Sequence, residues 1–205
     1  MKIYNILIFT ILTFLCFTIV SFASENVPSN GEKHLFFCKG GTFPEKWVVE
    51  SVNLDKNEIK WNIAGSSLNF SGGHYVSSIE AYKAHGIYKK MKTSSSTDEI
   101  IIKYEDKIDL FLKDPILKKT VQADFTGYSG ANVFPGKYWI KINKKKKIKS
   151  IFGEEDVIEI IAKFKPESGD KSTHRTLFSE KRNQIIEFSG NSPLRYNCVL
   201  KSITK

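Results

Sequence analysis

Most of the chain alternates between apolar and polar positions. In Glu58-Ile59-Lys60-Trp61-Asn62-Ile63 the two kinds exchange at every step, which places Ile59, Trp61 and Ile63 on one face of a pleated strand. Residues 47–54 precede it, and Asp55-Lys56-Asn57 supplies turn chemistry between them, so a first hairpin is predicted here. Residues 100–104 and 108–112 read as a second hairpin joined by Glu105-Asp106-Lys107. Residues 117–126 set Val121, Ala123 and Phe125 on one side, and 157–164 do the same with Ile158, Ile160, Ala162 and Phe164. Residues 138–142 and 148–152 bracket a run of four lysines, read as a hairpin tip. Runs at 176–178, 185–188 and 196–203 complete the series. β-branched and aromatic residues dominate these segments, as sheets prefer.

One stretch breaks the pattern. Residues 77–92 carry Ile79, Tyr82 and Met91 at spacings that suit a helix, but Gly86 in the middle weakens it. The fold class predicted is therefore all-β with room for one short helix. Turn signals between the runs point to an antiparallel meander, forming either a barrel or a two-sheet sandwich. No strand–long helix–strand alternation appears, which argues against a parallel α/β sheet.

The first residues are of another kind. Lys2 is followed by an apolar run over 3–22, and Ser21-Phe22-Ala23 offers small residues where signal peptidase needs them. Residues 1–23 are expected to be a signal peptide cleaved near Ala23, leaving 24–205 as a single β-rich domain in a secreted or periplasmic compartment. The run also approaches the ~20 residues that span a bilayer, so an uncleaved anchor is the competing reading. Cys16 lies between Leu15 and Phe17, too bulky for a lipoprotein cleavage box.

Export changes how the remaining cysteines are read. Cys38 and Cys198 lie in strand-like stretches near the two ends, and two cysteines in an oxidising compartment most often pair. A bridge between them would tie the first strand to the last. The alternative is two separate buried thiols. No C-x-x-C spacing supports a redox role.

Charge adds less. The formal net charge is +9, which attracts anionic partners without choosing among them. Its densest part is Lys144, Lys145, Lys146 and Lys147, joined by Lys141 and Lys149. This candidate basic patch reads either as a solvated hairpin tip that protects an edge, or as a contact for an anionic envelope surface. No aromatic–basic platform suggests nucleic acid.

Candidate chemistry is sparse. Gly127-Tyr128-Ser129-Gly130-Ala131 approaches the nucleophile elbow G-x-S-x-G, with His174 downstream, so a serine hydrolase using Ser129 and His174 is one alternative. The elbow needs a helix after the serine, whereas Pro135, Gly136 and an alternating segment follow. A glycine-rich link between two strands explains the same letters. His34, His74, His85 and His174 show no metal-ligand spacing, and no cofactor motif is present, so neither metal nor cofactor is expected. Asn69-Phe70-Ser71 matches a glycosylation sequon.

The chain holds fifteen Phe, eight Tyr and three Trp; most are expected in the core, since alternating strands bury one face, and an excess facing inward could line a pocket for an apolar ligand. The G-x-W signature of lipocalins is absent: Glu45, Ile59 and Lys137 stand two places before Trp47, Trp61 and Trp139. The expectation for function is a non-enzymatic binding module for a small apolar ligand or an envelope component. A structural protein that meets anionic lipid through its lysine-rich hairpin is the further alternative.

Overall fold

Strand follows strand with little between them. The computed structural model describes residues 28–29, 31–40, 46–64, 73–93, 97–191 and 195–204. The expected signal peptide and Asn69 lie outside the described residues. Among those residues, twelve strands run in chain order: β1 (Lys33–Lys39), β2 (Lys46–Asn53), β3 (Glu58–Ala64), β4 (Gly73–Ser77), β5 (Lys90–Thr93), β6 (Ile100–Tyr104), β7 (Thr120–Ser129), β8 (Asn132–Ser150), β9 (Gly153–Pro166), β10 (Ser172–Ser179), β11 (Gln184–Gly190) and β12 (Tyr196–Thr204). Each pairs antiparallel with its neighbour in sequence, and β1 pairs with β12, so the sheet closes on itself. The meander is a barrel and not a sandwich, and closure removes every sheet edge.

Alternation decides which side chains enter the barrel. Phe36, Ile59, Trp61, Ala123, Phe125, Tyr138, Ile140, Ala162 and Phe188 are all buried, while their neighbours along each strand are half-buried or exposed. The first hairpin forms as predicted, β2 pairing with β3 and Asn57 turning the chain with a positive φ of 51°.

The second predicted hairpin does not form. Residues 107–113 are an α-helix, α1 (Lys107–Lys113), which buries Ile108, Phe111 and Leu112 and leaves Leu110 in water. Those buried positions stand at i, i+3 and i+4, the helical spacing, whereas a strand over 108–112 would put Ile108, Leu110 and Leu112 on one face. The Lys83 ammonium donates to the Leu112 carbonyl (2.9 Å), satisfying one of the helix's C-terminal acceptors. β6 pairs instead with β7.

The four-lysine run is likewise not a hairpin tip. β8 continues straight through it, with one irregularity between Ile142 and Lys145, and the turn falls at Ile151 and Phe152. The acidic run on β9 explains this. Lys147 stands opposite Asp156, and Lys149 opposite Glu154, so opposite charges share a face of the ladder and offset the repulsion among the lysines.

The segment that broke the alternation is the least strand-like part of the molecule. Between β4 and β5, residues 78–89 make one 3-10 turn (Ala81–Lys83) and run through the barrel interior. Ala81, Tyr82, Ala84, His85, Ile87 and Tyr88 are buried. This plug touches strands from both sides of the barrel seam. Tyr82 stacks on Trp61 of β3 (5.5 Å between centroids), and His85 stacks on Phe188 of β11 (3.9 Å). The His85 backbone N–H donates to Thr176 Oγ1 of β10 (3.0 Å).

Candidate functional site

Two places concentrate chemistry: the polar cluster where the plug meets the barrel wall, and a groove on the outer face.

The inner cluster is built on Tyr196. Its hydroxyl lies 2.9 Å from His85 Nε2 and 3.1 Å from His174 Nδ1, so one phenol bridges an imidazole of the plug and one of the wall. Register makes this meeting: Gly190 stands between His174 on β10 and Tyr196 on β12. A Cβ on Gly190 would come 2.6 Å from the Tyr196 ring, so only glycine lets that ring lie flat across β11. The Tyr88 hydroxyl reaches His85 at 3.1 Å. A second knot joins the plug nearby. The Gln184 amide donates to the Tyr82 hydroxyl (2.8 Å), which stands 3.1 Å from His34 Nδ1, and His34 Nε2 faces Glu32 (3.1 Å).

Burial sets the electrostatics here. It pushes His174 down to about 4 and His85 well below the ordinary histidine value, with repulsion from His174 adding to the latter. It lowers His34 as well, against the pull of Glu32. Burial pushes the Tyr196, Tyr82 and Tyr88 phenols up. These groups are neutral near pH 7. Neutral imidazoles and phenols that satisfy one another suit fastening a plug better than transferring protons.

The rings also fill the interior at this level. Phe36, Trp61, Tyr82, His85 and Phe188 stack or meet edge to face at centroid distances of 3.9–6.0 Å. The aromatic residues expected to line an inner pocket pack against each other and the plug.

The groove lies across the outside of β7, β8 and β9. It has a volume of about 500 Å³ and is lined by Thr120, Trp139, Lys141, Asn143, Ile161, Lys163 and Lys171. Trp139 and Ile161 point outward because Tyr138, Ile140, Ile160 and Ala162 point in. Trp139 stands directly opposite Lys163, and Ile161 opposite Lys141. The result is an apolar floor of one indole and one branched aliphatic chain, with ammonium groups at its margin. Among the described residues, Lys141, Lys163 and Lys171 make no ion pair. Glu159, near Asn143, is already taken: Asn143 (2.6 Å), Lys146 (2.9 Å) and Arg175 (2.7 Å) all donate to it, and they hold its carboxyl down to about 2 despite burial.

The expected site residues fall out as follows. Cys38 and Cys198 stand in register on β1 and β12 and form a disulfide, with Cα atoms 4.0 Å apart. Of the basic patch, Lys141 enters the groove. Lys145 pairs with Glu180 (3.1 Å) and Lys146 with Glu159, while Lys147 and Lys149 face the acidic run; Lys144 is exposed.

Ser129 and His174 are not brought together. Ladder pairing carries the level of His174 through Ala162 and Ile140 to Val121 on β7. Ser129 lies eight residues farther along that strand, about 26 Å at ~3.3 Å per residue. His174 is engaged with Tyr196 and Ser172. Gly130 and Ala131 form the turn between β7 and β8, with no helix after the serine. The hydrolase alternative therefore has no site.

Sequence reading missed Trp139, Ile161 and Lys163 as a group. The signal was there in part, since Trp139 and Lys141 share an outward face by alternation. The pairing of Trp139 with Lys163 depends on the β8–β9 register, which no local pattern fixes.

No protein-family model and no curated protein matches the chain. Solved structures similar to the chain include three at low identity. The hypothetical lipoprotein YmcC from Escherichia coli K12 is 8% identical, with a TM-score of 0.49 over 94% of this chain and 96% of that one. A candidate exported protein with a YmcC-like fold from Bacteroides fragilis is 8% identical, with a TM-score of 0.41 over 87% and 98%. A candidate lipoprotein from Parabacteroides distasonis is 9% identical, with a TM-score of 0.39 over 87% and 97%.

Proposed function

We propose that this protein is an exported, non-enzymatic binding module whose outer barrel face takes an anionic amphiphile of the cell envelope. Export rests on the apolar run over 3–22 with its small-residue cleavage site, and on a disulfide that persists only where thiols are oxidised. The barrel interior is the poorer place for a ligand, because the plug occupies it. The observation that carries the reading is the groove itself: Trp139 and Ile161 beside Lys141, Lys163 and Lys171, three cations with no carboxylate partner among the described residues. An indole and an aliphatic side chain favour a hydrocarbon segment, and the lysines favour an anionic headgroup.

Calorimetric titration with dodecyl phosphate, below its micelle concentration, tests this. Dodecyl phosphate binds, while inorganic phosphate and neutral dodecyl maltoside bind far more weakly. Trp139→Ala and the pair Lys141→Glu with Lys163→Glu each weaken binding roughly tenfold, and added salt weakens it further. Equal binding of all three probes, or variants that bind like the parent, would refute the reading.

A further inference from the structure

The groove is not the only unusual part of the surface. The corner that joins α1 to β7 exposes three large aliphatic side chains: Leu110 at 67%, Ile116 at 50% and Leu117 at 42%. Single exposed leucines are ordinary on a protein surface, but these fall within eight consecutive residues of one corner. The corner is also rigid. The Lys119 N–H donates to the Ile116 carbonyl (3.2 Å), closing a turn with Ile116 and Leu117 in its first half. Lys118 holds a positive φ of 63°, and its N–H donates to the Ile142 carbonyl of β8 (2.7 Å). Behind the corner, Asp109 of α1 accepts from the Ser78 hydroxyl (2.8 Å) and the Tyr104 hydroxyl (3.2 Å), which fixes the helix to the start of the plug and to β6. Turns exposed to water are normally built from small polar residues, so a rigid turn presenting two aliphatic chains beside a third asks for an apolar neighbour.

Charge says which neighbour. Between 110 and 119 the chain carries Lys113, Lys118 and Lys119 against one acid, Asp114. Lys118 and Lys119 abut Ile142, so Lys141 and exposed Lys144 continue the same basic margin. Thr120, the next residue after this corner, is already part of the groove. A few aliphatic side chains flanked in sequence by lysines match a bilayer surface of anionic phospholipid: the side chains enter the acyl boundary while the ammonium groups stay among the phosphates. Among the described residues no helix is long and apolar enough to cross a membrane.

We infer that the α1–β7 corner docks on an anionic lipid bilayer, with Leu110, Ile116 and Leu117 inserted and Lys113, Lys118 and Lys119 on the headgroups. This goes beyond the groove reading: it gives the surface from which an amphiphile would reach the groove, through residues the groove does not use.

Co-sedimentation of the full disulfide-bonded protein with vesicles tests it. Vesicles of phosphatidylcholine with about one-third phosphatidylglycerol bind the protein, and pure phosphatidylcholine binds it several-fold less. The triple variant Leu110→Ser, Ile116→Ser, Leu117→Ser loses roughly tenfold on the anionic vesicles. The variant Lys118→Glu, Lys119→Glu loses a similar factor, and raising salt from about 0.1 M to about 0.5 M weakens the parent in the same direction. All five positions face solvent, and thermal melts of both variants should match the parent. No sedimentation of the parent with anionic vesicles, or a triple variant within about twofold of it, would overturn the inference. The groove variant Trp139→Ala keeps vesicle binding, so a failed dodecyl phosphate titration and a failed sedimentation are separate results.

Discussion

Cys38 and Cys198 stand directly opposite each other on β1 and β12, the two strands whose pairing closes the barrel. The disulfide therefore fastens the one seam that joins the ends of the chain. All other strand pairs are sequence neighbours, and the longest connections between them are the plug over 78–89 and the stretch over 105–119 that holds α1.

That position sets the first expectation. The bridge spans 160 residues of sequence, and loop-closure entropy assigns such a crosslink about 5 kcal/mol, a figure that depends on the entropic model. Replacing both cysteines by serine should lower unfolding free energy by roughly 2–5 kcal/mol, read as a shifted urea midpoint. The unaltered protein in strong reductant should move toward the same midpoint. A double variant as stable as the parent would mean the β1–β12 ladder closes the barrel unaided.

The His85–Tyr196–His174 cluster makes an acid-sensitive stability. His174 is held near 4 when folded and has an ordinary value of 6.5 when unfolded; His85 is depressed too. The unfolded chain therefore binds more protons between these values. Stability is full above about pH 6.5 and falls as pH drops toward 4, by roughly 2–3 kcal/mol for His174 alone. Melting temperatures at pH 7.5, 5.5 and 4.5 measure the slope, and His174→Gln should flatten it. A flat profile in the parent would show that these rings do not lose stability on acidification.

Glu159 acts in a different window. Its carboxyl is held at about 2 by Arg175, Asn143 and Lys146, so its contribution is present above about pH 4.5 and is lost as pH falls through 2. At neutral pH, Glu159→Gln should cost about 1–3 kcal/mol, because Arg175 and Lys146 lose a charged acceptor. The check is urea unfolding at pH 7. Little change there would mean that Glu187 alone satisfies Arg175.

Gly86 of the plug lies against His174 of the wall. Its φ is +99°, and an added Cβ would overlap the His174 ring. Gly86→Ala should destabilise by about 2–4 kcal/mol through strain and overlap together. Gly153, with φ +91° and nothing near its Cβ position, serves as the comparison: alanine there costs only the backbone, about 1 kcal/mol. Equal costs at the two sites would mean that the plug yields to the extra methyl group.

Some of this was legible in the chain and some was not, for reasons that can be named. Ile59 and Trp61 alternate without a fault over a full strand, and they do point inward. Residues 108–112 are too short to fix a period, since Ile108 and Leu112 suit a face of a strand and a face of a helix equally. Helix wins because Asp109 finds Ser78 and Tyr104, and Leu112 finds Lys83, partners 29 to 31 positions away or five along the chain. The lysine run looked like a turn because four like charges resist a ladder. The acidic run at 154–156, which makes that ladder tolerable, is recognised as its partner only once the strands are in register. The same holds for the outer site. Lys141 was singled out for its neighbours in sequence, yet it joins the groove through its neighbours across the strand.

Alternation and turn residues by themselves determined an all-β meander, and two cysteines near its ends determined which strands a bridge would join. These properties come from side-chain spacing along a pleated backbone, a local quantity. Barrel closure, the filling of its interior by residues 78–89, the meeting of His85 with His174 across Tyr196, and the pairing of Trp139 with Lys163 were decided only in three dimensions. Each depends on the register and curvature of strands that contact one another, and a residue's own neighbours in sequence carry no record of which stranger will stand opposite.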